Sequence, residues 1–371
     1  MKVMSVFGTR PEAVKMCPLV RELEACTEIE SVVCLTGQHR EMLWQVVDLF
    51  GIEVKYNLDV MLPRQTLTTI TTRVLSKIET VLQSEKPDIV LVHGDTTTSF
   101  VAALAAFYQQ IPVGHVEAGL RTYDRYSPFP EEMNRCLTGR IAALHFAPTE
   151  NNRINLEREN ISKGVFVTGN TVIDAFKTTV KEKYNYKDSI LQKIDFTGKR
   201  CILMTAHRRE NLGAPLISIF KAVKRIVETF SDIEVIYPVH MNPAIHDTAE
   251  KILGNSEHIY LIPPLDVADM HNLISRSSLV LTDSGGLQEE APACGIPVLV
   301  LRTETERPEA VTAGTVRIAG VEEERIYQET VRLLTDTEDY NRMAKAINPY
   351  GDGHASERIV QHILEWKRSI V

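Results

Sequence analysis

The sequence predicts an α/β protein built from two parallel-sheet domains, on three observations. Apolar runs such as Ile89, Val90, Leu91 and Val92 show no alternation, the pattern of a strand covered on both faces of a parallel sheet. Helical segments separate successive runs of this kind, which is the βα rhythm of a doubly wound sheet. The length of 371 residues exceeds what one core usually supports, so the rhythm is expected to divide between two domains.

Composition narrows the function classes. The apolar fraction of 44% and charged fraction of 24% are those of an ordinary globular protein. A formal net charge of -8 argues against a nucleic-acid partner or an acidic membrane surface, so any anionic ligand must be held by local groups. Six cysteines, at positions 17, 26, 34, 136, 201 and 294, form no CxxC or metal-ligand spacing and fit free, mostly core thiols in a reducing compartment. The chain runs straight into a strand with no signal-peptide layout, and no apolar stretch approaches the roughly 20 residues of a membrane span. A cytoplasmic protein is expected.

Residues 2–7 read as the first strand, broken at GTRPEA, where Gly8 frees the backbone and Pro11 suits the first turn of a helix. A strand, a tight turn and a helix start make an expected anion site, to which Arg10 adds a cationic fork and Lys15, about one turn on, a second charge. Residues 32–36 form the next strand, followed by a helix ending at Phe50 and another over 67–84. The run 89–92 then stops on His93, Gly94 and Asp95. Ligands of open parallel sheets sit outside the carboxyl ends of the strands, so Asp95 either presents its carboxylate there or simply opens the helix 97–109 as its cap. Residues 112–116 end on Glu117, Ala118 and Gly119, and a right-handed βαβ unit brings Asp95 and Glu117 to the same sheet edge. Two carboxylates there suit acid and base work, because proximity pushes their pKa values apart. The loop RTYDRYSPFP delivers Glu131 and Glu132 into the first turn of a helix beginning near Pro130, where acidic residues are also ordinary dipole partners. Strands at 144–147 and 165–168 and a helix opening in GNTVIDAF lead to a polar, Lys-rich stretch, 181–199, expected to be the linker.

The rhythm restarts at Arg200. Strand 201–205 ends on Ala206, His207, Arg208, Arg209 and Glu210, where His207 either donates to a phosphate or is an ordinary polar surface group. Strands 234–237 and 260–262 follow, and strand 279–281 runs into TDSGGLQEEAPACG, the counterpart of the Asp95 stretch. Ser284, Gly285 and Gly286 open a helix whose amides suit phosphate, the glycines admit a diphosphate close to the backbone, and Glu290 one turn on suits two vicinal hydroxyls. Strand 297–301 precedes TERPEA, with Arg307 beside a Pro helix start; NPYGDG is a turn, and 355–369 an amphipathic terminal helix. No GxGxxG or GxxxxGK[ST] loop, Tyr-x-x-x-Lys pair or HExxH motif occurs, and His240 and His246 have no ligand spacing, so neither a cofactor nor a catalytic metal is expected.

Taken together, GTRPEAVK (8–15), HGDTTT (93–98), HVEAGLR (115–121), HRRE (207–210), TDSGGLQEEAP (282–292) and NPYGDG (348–353) resemble the bacterial non-hydrolysing UDP-N-acetylglucosamine 2-epimerases over essentially the whole chain. The resemblance implies a glycosyltransferase-B-like fold of two Rossmann-like domains facing across a cleft. It divides the chain into 1–170, 171–354 and a terminal helix, 355–371, crossing back to the first domain, and it implies a homodimer. It further implies interconversion of UDP-N-acetylglucosamine and UDP-N-acetylmannosamine for cell-surface polysaccharides, by elimination of UDP to 2-acetamidoglucal and readdition. Asp95, Glu117 and Glu131 are then the carboxylates, while Arg10, His207 and the Ser284, Gly285 and Gly286 amides hold the diphosphate. Lys15 lies near the sugar and phosphates, Glu290 takes the ribose hydroxyls, and Arg307 is a substrate contact. Met270 stands where an aromatic residue often packs on the uracil. Gln38, Arg64, Glu131, Arg208 and His240 match the pocket in which a second UDP-N-acetylglucosamine activates bacterial members, with Glu41 where some members have Gln. Rival readings are a hydrolysing 2-epimerase, a UDP-sugar glycosyltransferase and a UDP-sugar-binding regulator without catalysis.

Overall fold

In the computed structural model the apolar runs become parallel strands. It describes all residues except Gln38, His39, Pro63 and Val371, and the side chains of Arg40 and Glu41 are likewise outside the description. Contacts divide the chain into two compact units, Met1–Thr178 with Tyr350–Val371, and Thr179–Pro349.

The first unit begins β1 (Lys2–Phe7), α1 (Arg10–Ala25), β2 (Glu30–Leu35), α2 (Arg40–Phe50) and β3 (Tyr56–Asn57). It continues α3 (Leu67–Glu85), β4 (Ile89–His93), α4 (Thr97–Tyr108), β5 (Val113–Val116) and α5 (Glu131–Ile141). Then come β6 (Leu144–Ala147), α6 (Glu150–Arg158), β7 (Val165–Val167) and α7 (Thr171–Thr179). Its seven strands lie in the order β3-β2-β1-β4-β5-β6-β7, all parallel. Every residue of β4 is buried, as the unbroken apolar run requires, and Val74, Ile78 and Leu82 of α3 and Val101, Ala102 and Ala105 of α4 close the core against it.

The second unit repeats the plan with β8 (Arg200–Thr205), α8 (Ala214–Thr229), β9 (Ile233–Pro238), α9 (Pro243–Leu253) and β10 (Ile259–Ile262). Next are α10 (Val267–Arg276), β11 (Leu279–Thr282), α11 (Gly285–Glu290), β12 (Val298–Val300) and α12 (Pro308–Ala313). It ends with β13 (Val316–Ile318), α13 (Glu323–Thr335) and α14 (Thr337–Ala344). The six parallel strands are ordered β10-β9-β8-β11-β12-β13. Phe220, Val223 and Ile226 on one face of α8 fill the core over Tyr237 of β9, whose hydroxyl donates to the Ala206 carbonyl at 2.7 Å. No described helix is long and apolar enough to cross a membrane.

Two expectations differ from this division. The boundary falls after Thr178 rather than 170, because α7 is bound to the first unit: the Asn170 N–H donates to the Tyr350 carbonyl at 2.6 Å, and buried Asp174 accepts from the Ala355 and Ser356 amides. Those two amides open the final helix, α15 (Ala355–Ile370), which packs on α1 and joins Lys367 to Asp88 at 2.8 Å. The polar stretch 181–199 is not a solvated linker. Tyr184 donates to Asp269 at 2.7 Å, the Lys181 amide to Asn272 at 3.0 Å, and Tyr186 is buried, so its aromatic residues dock it on α10 despite its lysines.

Candidate active site

Each sheet reverses its strand order once, between β1 and β4 in the first unit and between β8 and β11 in the second, and crevices of this kind are where open α/β sheets bind ligands. In the first unit His93 at the end of β4 pairs with Val116 at the end of β5, and the Gly94 amide donates to the Val116 carbonyl at 2.9 Å. Asp95 and Glu117 therefore leave neighbouring strands at one edge.

Glu117 has φ +62°, a left-handed conformation that is uncommon for a glutamate and persists only where surrounding contacts impose it. Those contacts converge on its carboxylate. Lys15 Nζ forms an ion pair with Oε1, Asn170 Nδ2 donates to the same oxygen at 3.0 Å, and Oε2 stands 3.7 Å from His93 Nε2. Asp95 is held separately: Arg135 Nη2 donates to Oδ2 at 2.5 Å and Asn134 Nδ2 to the Asp95 carbonyl at 2.8 Å. The cap of α4 is Thr96, whose hydroxyl accepts the Ser99 amide, so Asp95 is not consumed by capping. Glu131 is half-buried at the start of α5, one turn before Arg135 and hence on the helix face that holds Asp95. The same guanidinium reaches buried Glu132, which accepts the Thr122 and Tyr123 amides and pins the loop before α5.

Two histidines line the turn. Burial lowers His93 below its ordinary value, with Lys15 adding to the effect against Glu117. Burial takes His115 down to about 3, so its neutral ring donates from Nε2 to the Gly94 carbonyl at 2.7 Å and fixes the turn that carries Asp95.

The anion site expected at residues 8–12 is already filled. Glu12, 3% exposed, accepts the Gly8 amide at 2.9 Å and the Thr9 amide at 2.7 Å on Oε2, and the Thr96 and Ser99 hydroxyls at 2.7 and 2.8 Å on Oε1. The carboxylate takes the place a phosphate would have at those amides. Arg10 stands half-buried at the first position of α1, while Lys15 is committed to Glu117.

In the second unit fully buried Asp283 organises the end of β8. Its Oδ2 accepts the His207 and Arg208 amides at 2.8 Å each and Asn211 Nδ2 at 3.0 Å, and its Oδ1 lies 3.3 Å from His207 Nδ1. The His207 ring lies over that of His240, centroids 5.7 Å apart and 11° from parallel. Burial lowers the His207 pKa, and His240 and Arg208 add to this against Asp283. Ser284 opens α11 without a side-chain cap, leaving the amides of its first turn outside the intrahelical ladder. A Cβ on Gly285 would lie 3.2 Å from Glu306 Oε1, 3.6 Å from Arg208 Nη2 and 3.8 Å from Arg307 Nη2, so two guanidiniums gather over that glycine. One on Gly286 would lie 3.1 Å from Glu290 Oε1. Glu290 is half-buried with His271 Nε2 3.8 Å from Oε2, and Met270 is half-buried on α10 beside that histidine. Arg307 is paired with Glu289 and its amide donates to Thr305 Oγ1 at 3.1 Å.

Of the residues matched to a regulatory pocket, His240 is exposed beside His207, Arg208 is paired with Glu306, and Arg64 is exposed with φ +56°. Gln38 and the side chain of Glu41 lie outside the described residues. Sequence reasoning missed Glu12, Arg135 and Asn170. Two signals were present: Thr9-x-x-Glu12 is a capping box, and Arg135 follows Glu131 at the spacing of one helical turn. Asn170 is remote in sequence from Glu117, and nothing local marks their contact.

The sequence profile of the family described as UDP-N-acetylglucosamine 2-epimerase matches residues 21–364. A Bacillus subtilis UDP-N-acetylglucosamine 2-epimerase is 56% identical over 98% of this chain and 95% of its own. The crystal structure of UDP-GlcNAc 2-epimerase from Neisseria meningitidis bound to UDP-GlcNAc superposes with a TM-score of 0.86 at 48% identity, covering 98% of this chain and 100% of that one. A co-structure of S. aureus MnaA with UDP gives a TM-score of 0.87 at 52% identity, covering 99% of this chain and 97% of that one. With these relatives matched over nearly their full lengths, the chain belongs to the UDP-N-acetylglucosamine 2-epimerase family.

Proposed function

We propose that the protein interconverts UDP-N-acetylglucosamine and UDP-N-acetylmannosamine without releasing free sugar. Carbon 2 of the sugar adjoins an acetal and no carbonyl, so its hydrogen is barely acidic. Loosening the bond from carbon 1 to the diphosphate oxygen builds cationic character at carbon 1 and acidifies that hydrogen. A carboxylate then takes the proton as UDP departs with the bonding pair, leaving 2-acetamidoglucal. Delivery of a proton to the opposite face of carbon 2 and return of the diphosphate oxygen to carbon 1 give the epimer with no redox change.

The observation that carries this reading is a pair of carboxylates on neighbouring strand ends with different partners, Asp95 with Arg135 and Glu117 with Lys15. Groups held in unlike environments suit the unlike tasks of acid and base. Glu131 is the third carboxylate. In the second unit, His207, Arg307 and the Ser284, Gly285 and Gly286 amides suit a diphosphate, Glu290 the ribose hydroxyls and Met270 the uracil; Arg10 adds a further cation for the phosphates. Losing one preorganised donor to the departing diphosphate is expected to cost about 2.7 to 4 kcal/mol of barrier, roughly a hundredfold to a thousandfold in rate. The UDP and UDP-GlcNAc of the two related structures support the choice of ligand. The reading also includes a cytoplasmic homodimer, activation by a second UDP-N-acetylglucosamine through Arg64, Glu131, Arg208 and His240, and supply of cell-surface polysaccharide.

Proton NMR of the protein with UDP-N-acetylglucosamine in deuterium oxide tests the proposal. The expected result is UDP-N-acetylmannosamine carrying deuterium at carbon 2, with little free sugar. Free N-acetylmannosamine and UDP would instead assign a hydrolysing reaction, and an unchanged spectrum would leave a transferase or a binding protein.

A further inference from the structure

The loop between β12 and α12 places a carboxylate between Arg208 and Arg302, over the start of α11. Glu306 Oε1 accepts from Arg208 Nη2 at 2.7 Å, and its Oε2 pairs with Arg302 Nη1. The loop is fastened on both sides of it. Thr305 Oγ1 donates to Gln288 Oε1 at 2.6 Å, and Arg307 pairs with Glu289, so two consecutive residues of α11 fix where Glu306 stands. That place is over Gly285, where Glu306 Oε1 is nearer to a would-be Cβ than either Arg208 or Arg307 is. Burial pushes the Glu306 carboxyl up, but its own backbone N–H and the guanidiniums of Arg302 and Arg208 outweigh it and hold the group at about 2. It is an anion at neutral pH.

We propose that Glu306 is a resident counter-ion that, held by Arg208 and Arg302, competes with the nucleoside diphosphate for the surface of Gly285, and so sets how tightly UDP is held. The inference rests on the reading of this site as a UDP site. A carboxylate and a diphosphate repel strongly at contact distance, so the ligand must displace the Glu306 side chain. Arg302 offers it somewhere to go, since that guanidinium already pairs with Glu306 Oε2 and can keep the carboxylate when Oε1 leaves Gly285. In an elimination and readdition, UDP has to remain bound while its bond to the sugar is broken and still leave with the product at the end. A built-in competitor weakens the bound state without removing any of its donors.

The test is calorimetric titration of the full-length protein with UDP and, separately, with uridine, for the wild type and for Glu306→Gln, which keeps the shape and removes the charge. Glu306→Gln is expected to bind UDP about tenfold more tightly and uridine unchanged, because only the phosphates meet the carboxylate. Glu306→Asp, which keeps the charge on a shorter stem, covers the case in which the amide fails to fold; it is expected to bind UDP more tightly than wild type by a smaller factor. Equal or weaker UDP binding by the folded variants overturns the proposal and leaves the UDP site standing. An equal gain for uridine also overturns it, since the effect would not be on phosphate. Failure of the wild type to bind UDP at all overturns the reading of the site together with this inference.

Discussion

Glu117 carries two costs at once: a left-handed backbone at φ +62° and a carboxylate that is 10% exposed. A side chain chosen only for packing would avoid both, and a glycine at this position would remove the first at no steric cost. What the residue gains is a fixed carboxylate, aimed by Lys15 and Asn170 at the edge where β4 and β5 end. Replacing it with glutamine keeps the shape and the bond from Asn170 but removes the proton acceptor and the charge opposite Lys15. Glu117→Gln is expected to lower kcat by about a hundredfold to ten-thousandfold, the usual worth of a positioned acid or base, with UDP binding within about threefold of wild type. Steady-state kinetics and a UDP titration check this together. A variant with near-normal kcat would remove Glu117 from the proton-transfer step.

At the level of elements, the loop from Glu117 to Arg121 is set by how closely the chain leaving β5 passes α6. Gly119 has φ +89°, and a Cβ there would lie 2.2 Å from the Asn152 carbonyl oxygen and 2.8 Å from its carbon, both of them backbone atoms of α6. Asn155 fastens the contact by donating to the Gly119 carbonyl at 3.0 Å. Gly119→Ala therefore has no flexible neighbour to push aside, and we expect it to destabilise the protein by about 3 kcal/mol, read as a lowered urea midpoint. A loss below about 1 kcal/mol would mean that the loop and α6 can part without consequence. Elements of this kind also mark how far local pattern reaches. The ends of β4 and β11 were legible because apolar runs stop short of Gly94 and Asp95 and of Asp283, the end of β5 because Val116 is followed by Glu117, Ala118 and Gly119, and the start of α5 because Pro130 precedes two acidic residues. The two-residue β3 and three-residue β13 carry too few side chains to make a pattern. The amides at Gly8 and Thr9 looked open to phosphate although the Thr9-x-x-Glu12 capping box was there to read, whereas the reach of Glu12 across to Thr96 depends on β1 and β4 being neighbours. For the same reason Asn170 could not be joined to Glu117 from sequence, whereas the carboxylates themselves could be named.

At the scale of the molecule, the two units repeat one plan but do not share one electrostatic character. β4, β5 and β6 of the first sheet each bury a histidine, His93, His115 and His145, and burial lowers all three. His115 is taken down to about 3 and His145 to about 4. In the unfolded chain each would bind a proton near pH 6.5, so below that pH the unfolded state takes up protons that the folded state refuses. The stability these neutral rings confer is complete above pH 6.5 and is lost as pH falls from 6.5 toward 4 and 3. Between pH 7 and pH 5 the loss is about 2 kcal/mol for each of His115 and His145. It belongs to the first unit, since all three rings lie in its central strands. Hydrogen exchange at pH 7 and pH 5, corrected for intrinsic rates, should therefore show opening free energies falling more in β4, β5 and β6 than in β8 and β9. His145→Gln, which cannot take up a proton, should recover about 2 kcal/mol of that fall without altering the second unit. Equal losses in both sheets, or a His145→Gln protein as acid-sensitive as wild type, would show that the buried histidines do not govern its acid limit.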